Sequence, residues 1–227
     1  DAEDESAINL VIVTSGAEND QIATATLNSV AYTCTIASNT CTASITSVGL
    51  QALSEASHSF SVAVSDAAGN AATAHTSESF IYDKTAPTST TAVLAVTGSG
   101  NGNDADVVSI TLDPSETVGT PVCTFSDGDG AMEDTSVTYT TSNPDTHIAS
   151  ITVHNDDDDG AVGFSCTYSD LAGNAIASAI TSASSGSVTI DNTHPSISSV
   201  TFDSGDYVND AEDESAINLV IVTSGAE

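Results

Sequence analysis

Two turns rich in oxygen ligands recur along this chain, Ser65-Asp66-Ala67-Ala68-Gly69-Asn70 and Ser169-Asp170-Leu171-Ala172-Gly173-Asn174. Each is followed by an Asp-x-Thr-x-Pro segment, Asp83–Pro87 and Asp191–Pro195. Carboxylate and amide oxygens gathered at turns suit a hard cation such as Ca²⁺, which takes about six to eight oxygens. Acidic segments a little further on could complete such sites. The first candidate set is Asp83 with Asp66, Asn70, Asn103, Asp104 and Asp106; the second is Asp191 with Asp170, Asn174, Asn209, Asp210, Glu212 and Asp213. By the same logic Glu3 and Asp4 belong to a joint whose other half lies outside the sequence. The competing reading is plainer: Gly69 and Asn70 make a tight turn, while Asp83 and Asp191 cap or solvate strand ends.

Two denser acidic runs, Asp127-Gly128-Asp129-Gly130 and Asn155-Asp156-Asp157-Asp158-Asp159-Gly160, lie between strand patterns and read as hairpin tips. They are a second cation reservoir or, more plainly, solvated tips. Neither has the spacing of an EF-hand loop. Catalytic chemistry has little support. The five histidines (58, 75, 147, 154 and 194) are scattered, and neither a Gly-x-Ser-x-Gly elbow nor a phosphate loop is present. The expectation is a protein that is not an enzyme.

Charge narrows the partners. The sequence holds 32 Asp and Glu against one basic residue, Lys84, for a formal net charge of −31. Nothing here neutralises phosphates, so nucleic acid and anionic membrane surfaces are excluded as partners. Such a chain repels itself unless salt or bound cations screen it.

The elements that must position these residues are strands. Patterns rich in β-branched residues recur over 7–13, 31–36, 41–46, 58–65 and 79–82, then over 91–96, 107–112, 122–125, 136–139, 147–153, 162–168 and 187–190. A last pair falls at 197–202 and 216–222. Many short strands separated by Gly, Asn and Asp turns predict an all-β chain of sandwich domains. The internal repeat sets their number: HSFSVAVSDAAGNAATA (58–74) answers to VGFSCTYSDLAGNAIAS (162–178). The expected division is 1–86, a domain lacking its first strand; 87–194, a complete domain; and 195–227, the first two strands of the next. Residues 1–18 and 210–227 are the same 18 letters, 209 positions apart. That is the signature of a segment from a longer chain repeating in pairs of domains.

The stretches SDAAGNAATA with DKTAP, and SDLAGNAIAS with DNTHP, resemble the bacterial Ig-like domains found in tandem arrays in giant surface proteins and adhesins. The resemblance implies tandem Ig-like β-sandwiches arranged as an extended rod, with calcium at joints or loops that stiffens it. The implied role is a spacer or stalk of an extracellular, cell-surface protein, partnered by neighbouring repeats of its own chain. The alternatives are a unit that packs laterally with identical chains in a filament or sheath, and a module that grips a glycan or receptor through the acidic tips.

Four cysteines permit an oxidising compartment. Cys123 and Cys166 sit on strand patterns that can face each other across a sandwich core, which suggests a Cys123–Cys166 bridge. Cys34 and Cys41 flank a turn, which suggests Cys34–Cys41. In this reading Cys34 takes the position of Cys123, with Val62 where Cys166 stands. Four free buried thiols remain the alternative.

Overall fold

The computed structural model describes residues 6–98, 100–143, 145–202 and 219–225. The described residues are all-β apart from one short helix, and the chain divides into two compact units. The first is 1–88 with the loops 116–119 and 168–177; the second is 89–115 with 120–167 and 178–227. Among the described residues no helix is long and apolar enough to cross a membrane.

The first unit contains β1 Ile8–Val13, β2 Ile22–Leu27, β3 Val30–Thr35, β4 Thr40–Ile45, α1 Ser47–Gln51, β5 Ala56–His58, β6 Ser61–Ala63, β7 His75–Thr76 and β8 Phe80–Tyr82. They form antiparallel sheets in the orders β3-β2-β6-β7, β1-β4 and β5-β8. Alternation decides which residues go inside. On β2, Ala23, Ala25 and Leu27 are buried, and on β4, Cys41, Ala43 and Ile45 are. These meet Ile12, Tyr32, Ile36, Leu50, Phe60 and Tyr82 in one core shared by small antiparallel sheets. Ser38 and Asn39 both have positive φ (52° and 64°), as a two-residue hairpin between β3 and β4 requires. Because β3 and β4 belong to different sheets, the Cys34–Cys41 disulfide ties one sheet to the other.

The second unit contains β9 Ser89–Val96, β10 Asn101–Gly102, β11 Val107–Pro114, β12 Val122–Ser126, β13 Thr138–Asn143, β14 Thr146–Thr152, β15 Gly160–Ala161, β16 Gly163–Thr167, β17 Thr189–Ile190, β18 Ser196–Phe202 and β19 Leu219–Ser224. Its sheets run β13-β14-β11-β9, β12-β16, β10-β17-β15 and β18-β19. β11 alternates without a break, burying Val108, Ile110 and Leu112. The β18-β19 ladder differs: Ile197, Val200, Leu219, Val220, Ile221 and Val222 are all exposed.

Three features depart from the sequence reading. Ile22–Leu27 is a strand that the sequence did not announce, because its alternation is Ala against Thr and alanine is a weak strand former. Its presence shifts the cysteine correspondence. β2 pairs β6 with Ala25 opposite Val62, as β12 pairs β16 with Cys123 opposite Cys166. With Val62 at the place of Cys166, the counterpart of Cys123 is Ala25, and Cys34 lies one strand further on. Third, the Cys123–Cys166 disulfide joins neighbouring strands of one sheet, with Cα atoms 4.1 Å apart, and does not cross the core.

Candidate metal centre

The Asp-x-Thr segments have a physical reason for both conserved letters of their repeat. The Asp83 carboxylate accepts the Thr85 N–H at 3.0 Å, and Asp191 accepts the Thr193 N–H at 3.1 Å. Each threonine hydroxyl then donates to an acid from another loop: Thr85 to Glu55 at 2.6 Å, Thr193 to Asp159 at 2.5 Å. The same acids accept the backbone N–H of Lys84 (3.4 Å) and Asn192 (2.6 Å). The Thr193 hydroxyl, and then the Asn192 N–H, hold the Asp159 carboxyl below its ordinary value.

The Asp-x-Ala-Gly-Asn turns are equally alike inside. In the first, the Asn70 N–H and side-chain amide donate to the two Asp66 oxygens at 2.7 and 2.8 Å. In the second, Asn174 donates to Asp170 at 2.8 and 2.8 Å. The Asn70 side chain, followed by its backbone N–H, lowers the Asp66 carboxyl from its usual value.

Their surroundings differ. Asp170 and Asn174 are 6% and 7% exposed, and the Asn174 amide also donates to the Asp83 carbonyl at 3.1 Å. Val118 pairs with Asp170, and the Gly119 N–H donates to the Ser169 carbonyl at 2.8 Å, which brings the loop carrying Glu116 alongside. Asp83, Glu116 and Asp170 thus each offer a carboxylate oxygen, all within 4.8 Å of one another, in the first compact unit. Burial, and then the negative charges of Asp83, Asp170 and Glu55, push the Glu116 carboxyl above its ordinary value. Three hard oxygen donors under mutual repulsion form a donor set that can hold a metal ion.

The sequence sets are therefore redistributed. Asp83 meets Asp170 and Asn174, each of which was assigned to the other joint. Asp66 and Asn70 stay in their own exposed turn, where the Ala67 N–H donates to Glu18 at 3.0 Å. Asp106 is occupied by the Thr97 hydroxyl (3.0 Å) and the Asn103 N–H (3.1 Å), while Asn103 and Asp104 are exposed. Asp191 holds Thr193, as above. Asn209, Asp210, Glu212 and Asp213 lie outside the described residues. Glu116 was missed, although Glu18, which follows β1 as Glu116 follows β11, is the signal that could have found it.

The two acidic tips meet in the second unit. The Asp127 carboxylate accepts the Asp158 N–H at 3.0 Å and the Gly130 N–H at 3.2 Å. Backbone contact between them is so close that a Cβ on Gly128 would stand 2.3 Å from the Asp159 carbonyl oxygen, which is why glycine is needed there. Asp127, Asp129 and Asp158 form a second group able to hold a metal ion, at the surface. The hydrogen bond and charge of Asp129, with burial, Asp127 and Glu133 adding to them, raise the Asp158 carboxyl. Buried Asp157 is structural, accepting the N–H groups of Glu133 and His154 at 2.8 Å each.

No protein-family model and no curated protein matches the chain. Among solved structures it is similar to one described under host cell surface retention of a 1.5-MDa bacterial ice-binding adhesin. The TM-score is 0.50 at 24% identity, over 89% of this chain and 63% of that one. A tetra-tandem repeat from the extending region of a large adhesion protein aligns with TM-score 0.36 at 18% identity, over 99% of this chain and 60% of that one. A chimeric titin Z1Z2 aligns with TM-score 0.38 at 13% identity, over 82% and 88%. The chain thus spans about three fifths of the adhesin structures it matches. The first of these likenesses, the one that reaches a TM-score of 0.50, is one of fold: the chain shares an all-β architecture with part of a structure of a bacterial ice-binding adhesin.

Proposed function

We propose that this chain is a non-enzymatic spacer segment from the stalk of a repetitive, extracellular bacterial surface protein, and that calcium at Asp83, Glu116 and Asp170 stiffens it. The observation that carries the reading is the acid trio. It gathers one carboxylate from the segment that closes the first sequence repeat (1–86) and two from loops of the second (87–194). A divalent cation there would convert a mutually repelling contact into a bonded one, with Asn174 fixing both Asp170 and Asp83 as a positioning residue. Two disulfides fit the oxidising extracellular compartment, and the fold likeness to an adhesin fits the cell surface.

The remaining repeats of the same chain are the natural neighbours, and the role is mechanical reach. Small-angle scattering with calcium and with EGTA tests this reading. The maximum dimension is expected to be better defined in calcium and to blur when the ion is removed. An unchanged profile, with no calcium bound by calorimetry, would remove the stiffening role.

A further inference from the structure

We propose that the strand Thr138–Asn143 has two seats, the one it holds on β14 and a second on the open edge of β12, and that Tyr139 is the latch between them. The two repeats carry the same stretch. Ser29-Val30-Ala31-Tyr32-Thr33 answers to Ser136-Val137-Thr138-Tyr139-Thr140, and Cys41-Thr42-Ala43-Ser44-Ile45 to His147-Ile148-Ala149-Ser150-Ile151. Yet the strands built from it pair differently. β3 lies on β2, with Tyr32 opposite Ala25, whereas β13 lies on β14, with Tyr139 opposite Ala149. One pattern of letters is therefore compatible with either neighbour.

The second seat is open and already addressed. β12 pairs with β16 on one side, and among the described residues its other edge carries only the Ser126–Ala131 bridge at its end. Ala25 is the counterpart of Cys123, so the place of Tyr32 in the second repeat lies opposite Cys123. The Tyr139 side chain reaches that place while its backbone stays on β14. The Cys123 N–H donates to the Tyr139 hydroxyl at 2.9 Å, and the hydroxyl donates to the Cys123 carbonyl at 3.4 Å. One phenol thus satisfies the two backbone groups that a neighbouring strand would take. Moving β13 across exchanges those two bonds for a ladder and buries Tyr139, now 37% exposed, as Tyr32 is buried at 8%.

What holds β13 differs from what holds β3. Cys34 is bonded to Cys41; in the second repeat Thr141 and His147 stand at those positions and share a hydrogen bond of 3.3 Å through Nδ1. The His147 ring is 6% exposed and its Nε2 has no partner among the described residues, so the hold is weak. All six residues of β13 are exposed, and no buried side chain anchors the strand. The tether is long enough. The Glu133 N–H is fixed on Asp157, and residues 134–137 span about 13 Å when extended, more than the roughly 10 Å between packed sheets. With Tyr139 opposite Cys123, Thr138 stands opposite Thr124. The device is a strap that passes from β14 to β12 within the second unit without unfolding the core, and it uses neither calcium nor the acid trio.

The test makes position 138 choose between two partners in the full chain carrying Thr124→Cys, Thr138→Cys and Ser150→Cys. The native cysteines are already paired, and Thr138 is opposite Ser150 on β14. A bridge from 138 to 150 therefore reports the first seat, and a bridge from 138 to 124 the second. After equilibration in a glutathione buffer, peptide mapping that also verifies the native bridges is expected to find both, with 138–150 in excess. Tyr139→Phe removes two hydrogen bonds made only in the first seat, and is expected to shift the ratio toward 138–124 at least about fivefold. Absence of the 138–124 bridge with and without Tyr139→Phe, or a ratio that Tyr139→Phe leaves unchanged, overturns the proposal. Hydrogen exchange reads the same equilibrium without added cysteines. In Tyr139→Phe the β14 amides that face β13 are expected to lose protection by a similar factor, while β11 amides that face β9 keep theirs. Equal protection of β14 in the parent chain and in Tyr139→Phe overturns the proposal as well.

Discussion

Asn70 and Asn174 each donate a side-chain hydrogen bond of 2.8 Å to the aspartate four residues earlier, yet Asn70 is exposed and Asn174 is 7% exposed. The motif itself explains the turn in both places: Asp and Asn satisfy each other, and glycine takes the left-handed residue between them, with φ of 88° at Gly69 and 94° at Gly173. What makes the second turn a candidate metal centre is what reaches it. Asp83 and Glu116 come to Asp170 from elsewhere in the chain, whereas Asp66 has Glu18 for its acidic company and no third carboxylate within the described residues. A local motif therefore encodes a scaffold, and its neighbours determine whether it becomes a site.

The largest expected single loss, about 4 kcal/mol, is that of a disulfide, and the two repeats differ in it. Cys123–Cys166 closes a loop with a sequence separation of 43, and Cys34–Cys41 one of 7. Loop-closure entropy then makes the first worth about 4 kcal/mol and the second about 2. Denaturant unfolding of the Cys123→Ala/Cys166→Ala and Cys34→Ala/Cys41→Ala chains measures both; equal losses would break the comparison. Next comes calcium. At a hundred times its Kd it should stabilise the protein by about 2.7 kcal/mol. Thermal unfolding should show this gain abolished in Glu116→Gln and intact in Glu18→Gln.

Asn174→Ala leaves buried Asp170 short of a donor, at a cost of about 1–3 kcal/mol, while Asn70→Ala at an exposed turn should be near neutral. Matched chemical denaturation of the two variants sharpens the contrast directly.

The smallest effects are those of pH, measured without calcium, and they have opposite signs. Glu116 holds its proton more tightly when folded, so its contribution is present below the ordinary carboxylate value and lost as pH rises through the raised folded value. Glu116→Gln should therefore gain on the parent chain as pH rises from the ordinary carboxylate range through the raised folded value. Asp159 is depressed, so its contribution is present above the ordinary value and lost as pH falls through the folded one. Asp159→Asn should approach the parent in stability as pH falls through the depressed folded value and fall behind it toward neutrality.

Much of this was legible in the letters. The repeated turns, the Asp-x-Thr-x-Pro segments and the strand alternation lead to the sandwich, because each is a local pattern with a local cause. The acid trio was half legible: Asp83 and Asp170 stand in recognisable motifs, but which turn meets which segment is a matter of tertiary pairing. Glu116 depends on a single bridge, Val118 with Asp170, that no periodicity marks. The meeting of the acidic tips was hidden for a different reason. Four adjacent aspartates read as a solvated run, yet backbone N–H groups, a threonine hydroxyl and close glycines give three of them separate duties.

Lys84 stands exposed in the joint whose N–H groups and hydroxyl are clamped by Asp83 and Glu55. With no other lysine or arginine in 227 residues, it is also the single position at which trypsin can cut. A protease must draw several residues around its target into an extended strand, and here those residues are bound on both sides of the scissile bond. The rate at which trypsin splits the chain between Lys84 and Thr85 therefore reads out how often the clamp opens. One tryptic address is left in these 227 residues, and it lies inside the clamp that Asp83 and Glu55 form.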